Sequence, residues 1–216
     1  MNPRGTMNRI ALIRPLLATL AMLITIVLAS VPAQADEAEQ VKQLAKDKIQ
    51  AVIALLDDKS LEKQVRNDKI IETVNPLLDF ELMAKLSLGK KHWTGMDASQ
   101  QKRFLDNFVL RLQESYLEKL DLYTDEKVEV SDAEVVKSRI YVKSYLISKD
   151  DKMEMIYKFY KTKEGGWMVY DVEILGVSVV QTYRSQFAGM LKDGDYNAML
   201  KRIETKGSLT IDTNKK

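Results

Sequence analysis

Residues 153–174 read MEMIYKFYKTKEGGWMVYDVEI, and this stretch decides the fold class. Met153, Met155, Tyr157 and Phe159 alternate with Glu154, Ile156, Lys158 and Tyr160, the period of two expected of a strand that buries one face. Gly165-Gly166 is a hairpin turn, and Trp167 to Ile174 form a returning strand with Met168, Tyr170, Val172 and Ile174 on one side. Upstream of the stretch, Asp150-Asp151 makes a turn. Ile140, Val142 and Tyr145 continue the β pattern, and Val128 and Val130 begin it. Four consecutive strands joined by short turns predict an antiparallel meander.

Helical periodicity flanks the meander on both sides. Before it, Asp97 with Gln100 three residues later forms a capping box, and Phe104, Phe108, Leu112, Tyr116 and Leu120 make one stripe of a helix predicted over 98–123. Earlier still, Val41, Ala45, Ile49, Val52, Ile53 and Leu56 recur at three- and four-residue spacing until Asp57-Asp58. Ser60 is expected to cap a second helix that stops near Pro76, and Asp79 a third, Phe80 to Leu88, with Gly89 at its exit. His92 and Trp93 fall in a loop. After the sheet, Val179, Val180, Tyr183, Phe187 and Met190 mark one helix, and 196–206 a last one before Gly207. Helices, a meander and helices again give an α+β fold.

The first 35 residues read as a cleavable export signal: Arg4, Arg9 and Arg14, an apolar run from Leu16 to Leu28, then Ala33-Gln34-Ala35. The run is too short to span a bilayer, and no cysteine follows it to take a lipid anchor. The remainder, 36–216, divides into a helical entry (about 36–96), the long helix and sheet (about 97–175) and closing helices (about 178–206). The whole sequence holds 33 basic and 31 acidic residues, and three of the basic ones sit in the signal. The exported part is therefore near neutral, with both signs mixed, which argues against a nucleic-acid partner. Without cysteines an oxidising compartment offers no disulfides, so core burial must hold the chain together.

Catalytic chemistry is sparse. His92 is the single histidine, so neither a nucleophilic triad nor a zinc site assembles, and no phosphate loop is present. Asp193, Asp195, Asn197 and Glu204 occupy calcium-loop positions, but Ala198 stands where such a loop needs glycine; Asp195 as a helix cap explains the same residues. Asp171 and Glu173 share one side of the last strand, and that side is expected to face solvent.

The strands are rich in long, adaptable side chains, which suit a slot for variable apolar ligands or simply a packed core. A resemblance separates these readings. Pro76, Asp79-Phe80-Glu81-Leu82-Met83-Ala84, Leu88-Gly89-Lys90-Lys91-His92-Trp93, the region from Gln100 through Phe108 to Tyr116, Gly166-Trp167-Met168-Val169-Tyr170-Asp171-Val172, Gly176-Val177-Ser178 and Tyr183-Arg184-Ser185-Gln186-Phe187 together resemble the MlaC, or toluene-tolerance auxiliary, family of periplasmic phospholipid-binding proteins.

The resemblance implies an NTF2-like α+β fold with an added helical lobe and an internal apolar cavity. It implies a monomeric periplasmic shuttle that holds lipid tails, keeps outer-membrane lipid asymmetry, and needs no metal or cofactor beyond its cargo. It also implies two docking partners: an outer-membrane lipoprotein–porin complex, and an inner-membrane ABC transporter with a ring of lipid-binding domains. The lining expected from the pattern is Val142, Met155, Tyr157, Phe159, Met168, Tyr170 and Val172 from the sheet, with Phe104, Phe108, Leu112, Val179, Tyr183 and Phe187 from helices. Arg184 is placed either at the mouth, against a phosphate, or in a surface ion pair. The rival readings are an NTF2-like isomerase or dehydratase using Asp171 or Glu173, and a module that binds proteins through an exposed apolar patch.

Overall fold

The computed structural model describes residues 32–124, 126–149 and 151–209. The chain divides into two units, Met1–Glu37 and Ala38–Lys216, and the second carries the sheet and the cores. The expected export signal, residues 1–35, lies outside the described residues except for its last four.

In order, the elements are α1 (Pro32–Asp57), α2 (Lys63–Val74), a 3-10 turn (Asn75–Leu77), α3 (Phe80–Leu88), α4 (Lys90–Gly95), α5 (Ala98–Leu120), β1 (Lys127–Val136), β2 (Arg139–Ile147), β3 (Lys152–Lys161), β4 (Trp167–Ile174), β5 (Val177–Ser178), α6 (Val179–Met190) and α7 (Tyr196–Ile203). The fold is α+β. Local chemistry explains most boundaries. Asp79 accepts the Leu82 N–H to start α3, and Asp195 accepts the Ala198 N–H to start α7. At α5 both halves of the capping box form, Gln100 N–H to Asp97 and Asp97 N–H to Gln100. Ser60 does not cap α2: its hydroxyl and N–H turn back to Asp58, and the helix starts after Glu62 without a side-chain cap. His92 and Trp93 lie in the short helix α4 rather than a loop. The long helix ends at Leu120 and the last at Ile203, earlier than their apolar stripes suggest.

The sheet is antiparallel in the order β1-β2-β3-β4-β5, one strand more than the meander expected. The added strand returns through Leu175-Gly176, both at positive φ (50° and 77°), the backbone of a tight two-residue hairpin. Registers define the faces. Ile140, Val142 and Ser144 lie opposite Phe159, Tyr157 and Met155, and Tyr157 lies opposite Val172. These form the inner face. Tyr141, Lys158, Asp171 and Glu173 belong to the outer one.

A bulge then breaks the alternation in β4. Lys158 pairs with Asp171 but Phe159 pairs with Val169, so Tyr170 is an extra residue. Beyond it, Trp167 and Val169 take the inner face, while Met168 and Tyr170 go to the outer one. Period-two counting places Met168, Tyr170, Val172 and Ile174 together; the extra residue is why the structure does not.

Burial organises two apolar clusters. The helical one joins α3, α5, α6 and α7 through Met83, Leu88, Phe104, Phe108, Tyr183 and Leu200, among others. The sheet cluster sets Val41 and Ala45 of α1 on Ile140, Val142, Phe159 and Val169. Leu78 and Val172 pack against both. Among the described residues, no helix is long and apolar enough to cross a membrane.

Candidate ligand-binding site

The inner face continues past the sheet cluster as a row of half-buried side chains: Leu146, Met153, Met155, Tyr157 and Ile174. Leu146, Met153 and Met155 join neither cluster. Tyr157 donates to the Met155 sulfur at 3.9 Å, and burial pushes its phenol up against the opposing effect of Ser144. Its side chain nevertheless keeps open area. Tyr116, on α5, shows the same pairing of traits: it is half-buried, and burial pushes its phenol up to about 12. The inner face beyond the sheet cluster is therefore a row of flexible methionines with the Tyr157 ring, surfaces that adapt to variable apolar shapes, and it reaches the junction of the two clusters at Val172.

The expected lining residues separate into three groups. Met155, Tyr157 and Val172 stand on the open part of the inner face, with Val142 and Phe159 fully buried beside them. Phe104, Phe108, Leu112, Val179, Tyr183 and Phe187 close on one another as the helical cluster, with ring centroids 5.1 Å apart for Phe104–Phe187 and 5.6 Å for Phe108–Tyr183. Met168 and Tyr170 lie on the outer face, away from the other sheet residues of the set. Leu78, Trp167, Val169 and the buried Ser144 were not in the expected set. Ser144 was readable from the alternation, being two residues from Val142. Trp167 and Val169 were hidden by the bulge.

Arg184 is exposed, and its guanidinium lies against Gly89 at the C-terminal end of α3, where a cation is favoured by the helix dipole. Asp171 and Glu173 share the outer face as expected, yet Asp171 is buried rather than solvated. It accepts from Lys158 at 3.2 Å, from the Ser178 hydroxyl at 2.8 Å and from the Val180 N–H at 3.1 Å, while Lys158 reaches Glu173 at 2.7 Å. Hydrogen bonds and charge from the two acids outweigh burial and hold the Lys158 ammonium above its ordinary pKa. This network pins the start of α6 to β3 and β4. Asp171→Ala leaves the Ser178 hydroxyl and the buried Val180 N–H without their acceptor and Lys158 with Glu173 alone, and is expected to cost about 3 kcal/mol in a urea titration. A cost below about 0.5 kcal/mol would mean that the network is solvated and idle.

Three comparisons bear on this arrangement. The family model described as MlaC protein matches residues 46–205. A curated relative, the intermembrane phospholipid transport system binding protein MlaC of Haemophilus influenzae, is 24% identical over 160 residues, 72% of each chain. Among solved structures, a phospholipid-binding protein of Ralstonia solanacearum in complex with a phospholipid aligns with a TM-score of 0.67 at 20% identity. The alignment covers 76% of this chain and 94% of that one, and establishes likeness of fold.

Proposed function

This chain belongs to the MlaC family, and on that premise we propose that it is a phospholipid carrier rather than an enzyme. The observation that carries the reading is the half-buried apolar row of Met153, Met155, Tyr157, Val172 and Ile174 on the inner face, which meets the junction of the divided core at Val172. Acyl chains are the cargo such a surface suits, since it is apolar, adaptable and poor in charge. The relative of Haemophilus influenzae is named for phospholipid transport, and the neighbour from Ralstonia solanacearum holds a phospholipid, in accord with the same reading.

The energetics explain why a carrier is needed. Each methylene transferred from bilayer to water costs about 0.8 kcal/mol, so two tails with roughly thirty methylenes face about 24 kcal/mol. The slot must replace most of that contact. Because apolar contact is non-directional, headgroup type should matter little. Spontaneous release is slow for the same reason, so a partner must draw the lipid out.

In this reading the exported chain works in the periplasm and moves lipid between the two membranes, maintaining outer-membrane asymmetry. It collects from, or delivers to, an outer-membrane lipoprotein–porin complex on one side and an ABC transporter with a lipid-binding ring on the other. A cavity enzyme is disfavoured because Asp171 and Glu173 sit on the outer face, engaged by Lys158. The test is to purify the protein from its native compartment without detergent, extract it with organic solvent and weigh the released lipid by mass spectrometry. Near-stoichiometric phospholipid with mixed headgroups is expected. A protein that comes out empty would end the carrier reading.

A further inference from the structure

On the outer face, away from the row of methionines, lies a pocket of about 290 Å³. Leu82 and Leu86 of α3 form one wall; Ser138, Arg139, Tyr160 and Tyr170 form the others, with Lys161 at the edge of β3. The bulge makes this site, for it is the extra residue, Tyr170, that turns outward into it.

The polar side is held in place from several directions. Arg139 stacks on the Tyr170 ring, its guanidinium carbon 4.5 Å from the centroid, and its Nη1 donates to the Tyr170 hydroxyl at 2.8 Å. That hydroxyl also shares a hydrogen bond with Tyr141 at 3.2 Å. Tyr160 meets Tyr170 edge-on at 6.2 Å and donates to Asp79, the residue that caps α3. Burial, aided by the contact with Tyr141, pushes the Tyr170 phenol up to about 12, so at neutral pH the brace stays protonated and uncharged.

Among the described residues, no carboxylate pairs with Arg139, and none accepts from its Nε or Nη2. Those two groups form one edge of the guanidinium, the planar fork that binds carboxylate or phosphate through two parallel hydrogen bonds. The nearby acids are otherwise engaged or peripheral. Asp79 is taken by Tyr160, Glu81 by Lys85, and Glu164 acts on Tyr160 from the β3–β4 turn. A braced arginine faces two leucines across a space at the small end of the range for ligand pockets.

We propose that this pocket binds an organic anion: a single phosphate or carboxylate carried on a short apolar body, the anion on Arg139 and the body against Leu82 and Leu86. A bare inorganic ion would leave the leucine wall unused, and a neutral apolar molecule would leave the guanidinium unmatched.

Phenyl phosphate is the probe, followed by backbone amide shifts in the NMR spectrum of the purified protein, with inorganic phosphate in parallel. Saturable shifts centred on residues 82–86, 138–141 and 160–161 are expected, with inorganic phosphate binding at least tenfold more weakly. Arg139→Gln should weaken phenyl phosphate at least tenfold, and Leu86→Gln several-fold. Both side chains are exposed enough that their replacement leaves the fold intact. Equal affinity in the Arg139→Gln protein, equal affinity for inorganic phosphate, or shifts centred on Met153 and Met155 would each overturn the assignment. Titrating lipid-loaded and delipidated protein separates two sources of the same chemistry. Binding to both forms identifies a free anion, and binding to the delipidated form alone identifies the headgroup of the cargo.

Discussion

Val172→Glu is expected to lower the phospholipid that co-purifies with the protein to about a tenth of its normal ratio or less, with the circular-dichroism spectrum unchanged. Val172 faces inward opposite Tyr157 and touches both apolar clusters, so its side chain stands at the seam where the tails are proposed to lie. A carboxylate there meets no cation, because Lys158 is on the opposite face of the sheet. It must bring water with it or stay protonated, and water at the seam removes the contact that retains an acyl chain. The matched control is Met168→Glu, four residues earlier in the same strand. Simple alternation would place both residues on the lining; the bulge puts Met168 outside, so this variant should keep its lipid. Loss of lipid in both, or in neither, would show that the inner face is not the binding surface.

Phe108→Ala should destabilise the fold by about 4 kcal/mol, equivalent to a fall of about 10 °C in Tm for a domain of this size. Phe108 is fully buried, with the rings of Phe104, Tyr183 and Phe187 at 6.0, 5.6 and 6.3 Å. Truncation leaves a ring-sized cavity among partners that cannot collapse into it. The decisive comparison is between lipid-loaded and stripped protein, by chemical denaturation. If the helical cluster is core, as its mutual packing indicates, the loss is the same in both. If Phe108 instead touches cargo, as the sequence-based lining expects, stripped protein should already be weakened and lose little more.

What the sequence disclosed and what it concealed follow from the range of the forces involved. Caps are decided within three residues, so Asp79, Asp97 with Gln100, and Asp195 could be read directly. Ser60 misled because Asp58, only two residues away, competes for it. Strand periodicity in β3 survives folding because its pairing with β2 runs unbroken from Lys152 to Tyr160. In β4 one extra residue reverses the alternation, and no period-two pattern signals where that happens. Elements as short as α4 and β5 lie below what periodicity can detect. At the candidate site, Met155, Tyr157 and Val172 were legible as one face. Which apolar residues pack against one another and which border open space depends on how helices seat on the sheet, and the chain order does not encode that locally.

The divided core bears on how the molecule can breathe. A protein with a single core has one cooperative way to expose it, at nearly the full free energy of unfolding. Here each cluster excludes water by itself, and they meet through few side chains, Leu78 and Val172 chief among them. Parting them wets only that junction, so a subglobal opening lies well below complete melting. Amides along β2 and the middle of α5 should exchange with solvent only on full unfolding, while those of the 3-10 turn and the end of β4 exchange through this cheaper route. For the proposed carrier, this is the opening expected to admit a bulky cargo while both clusters stay folded.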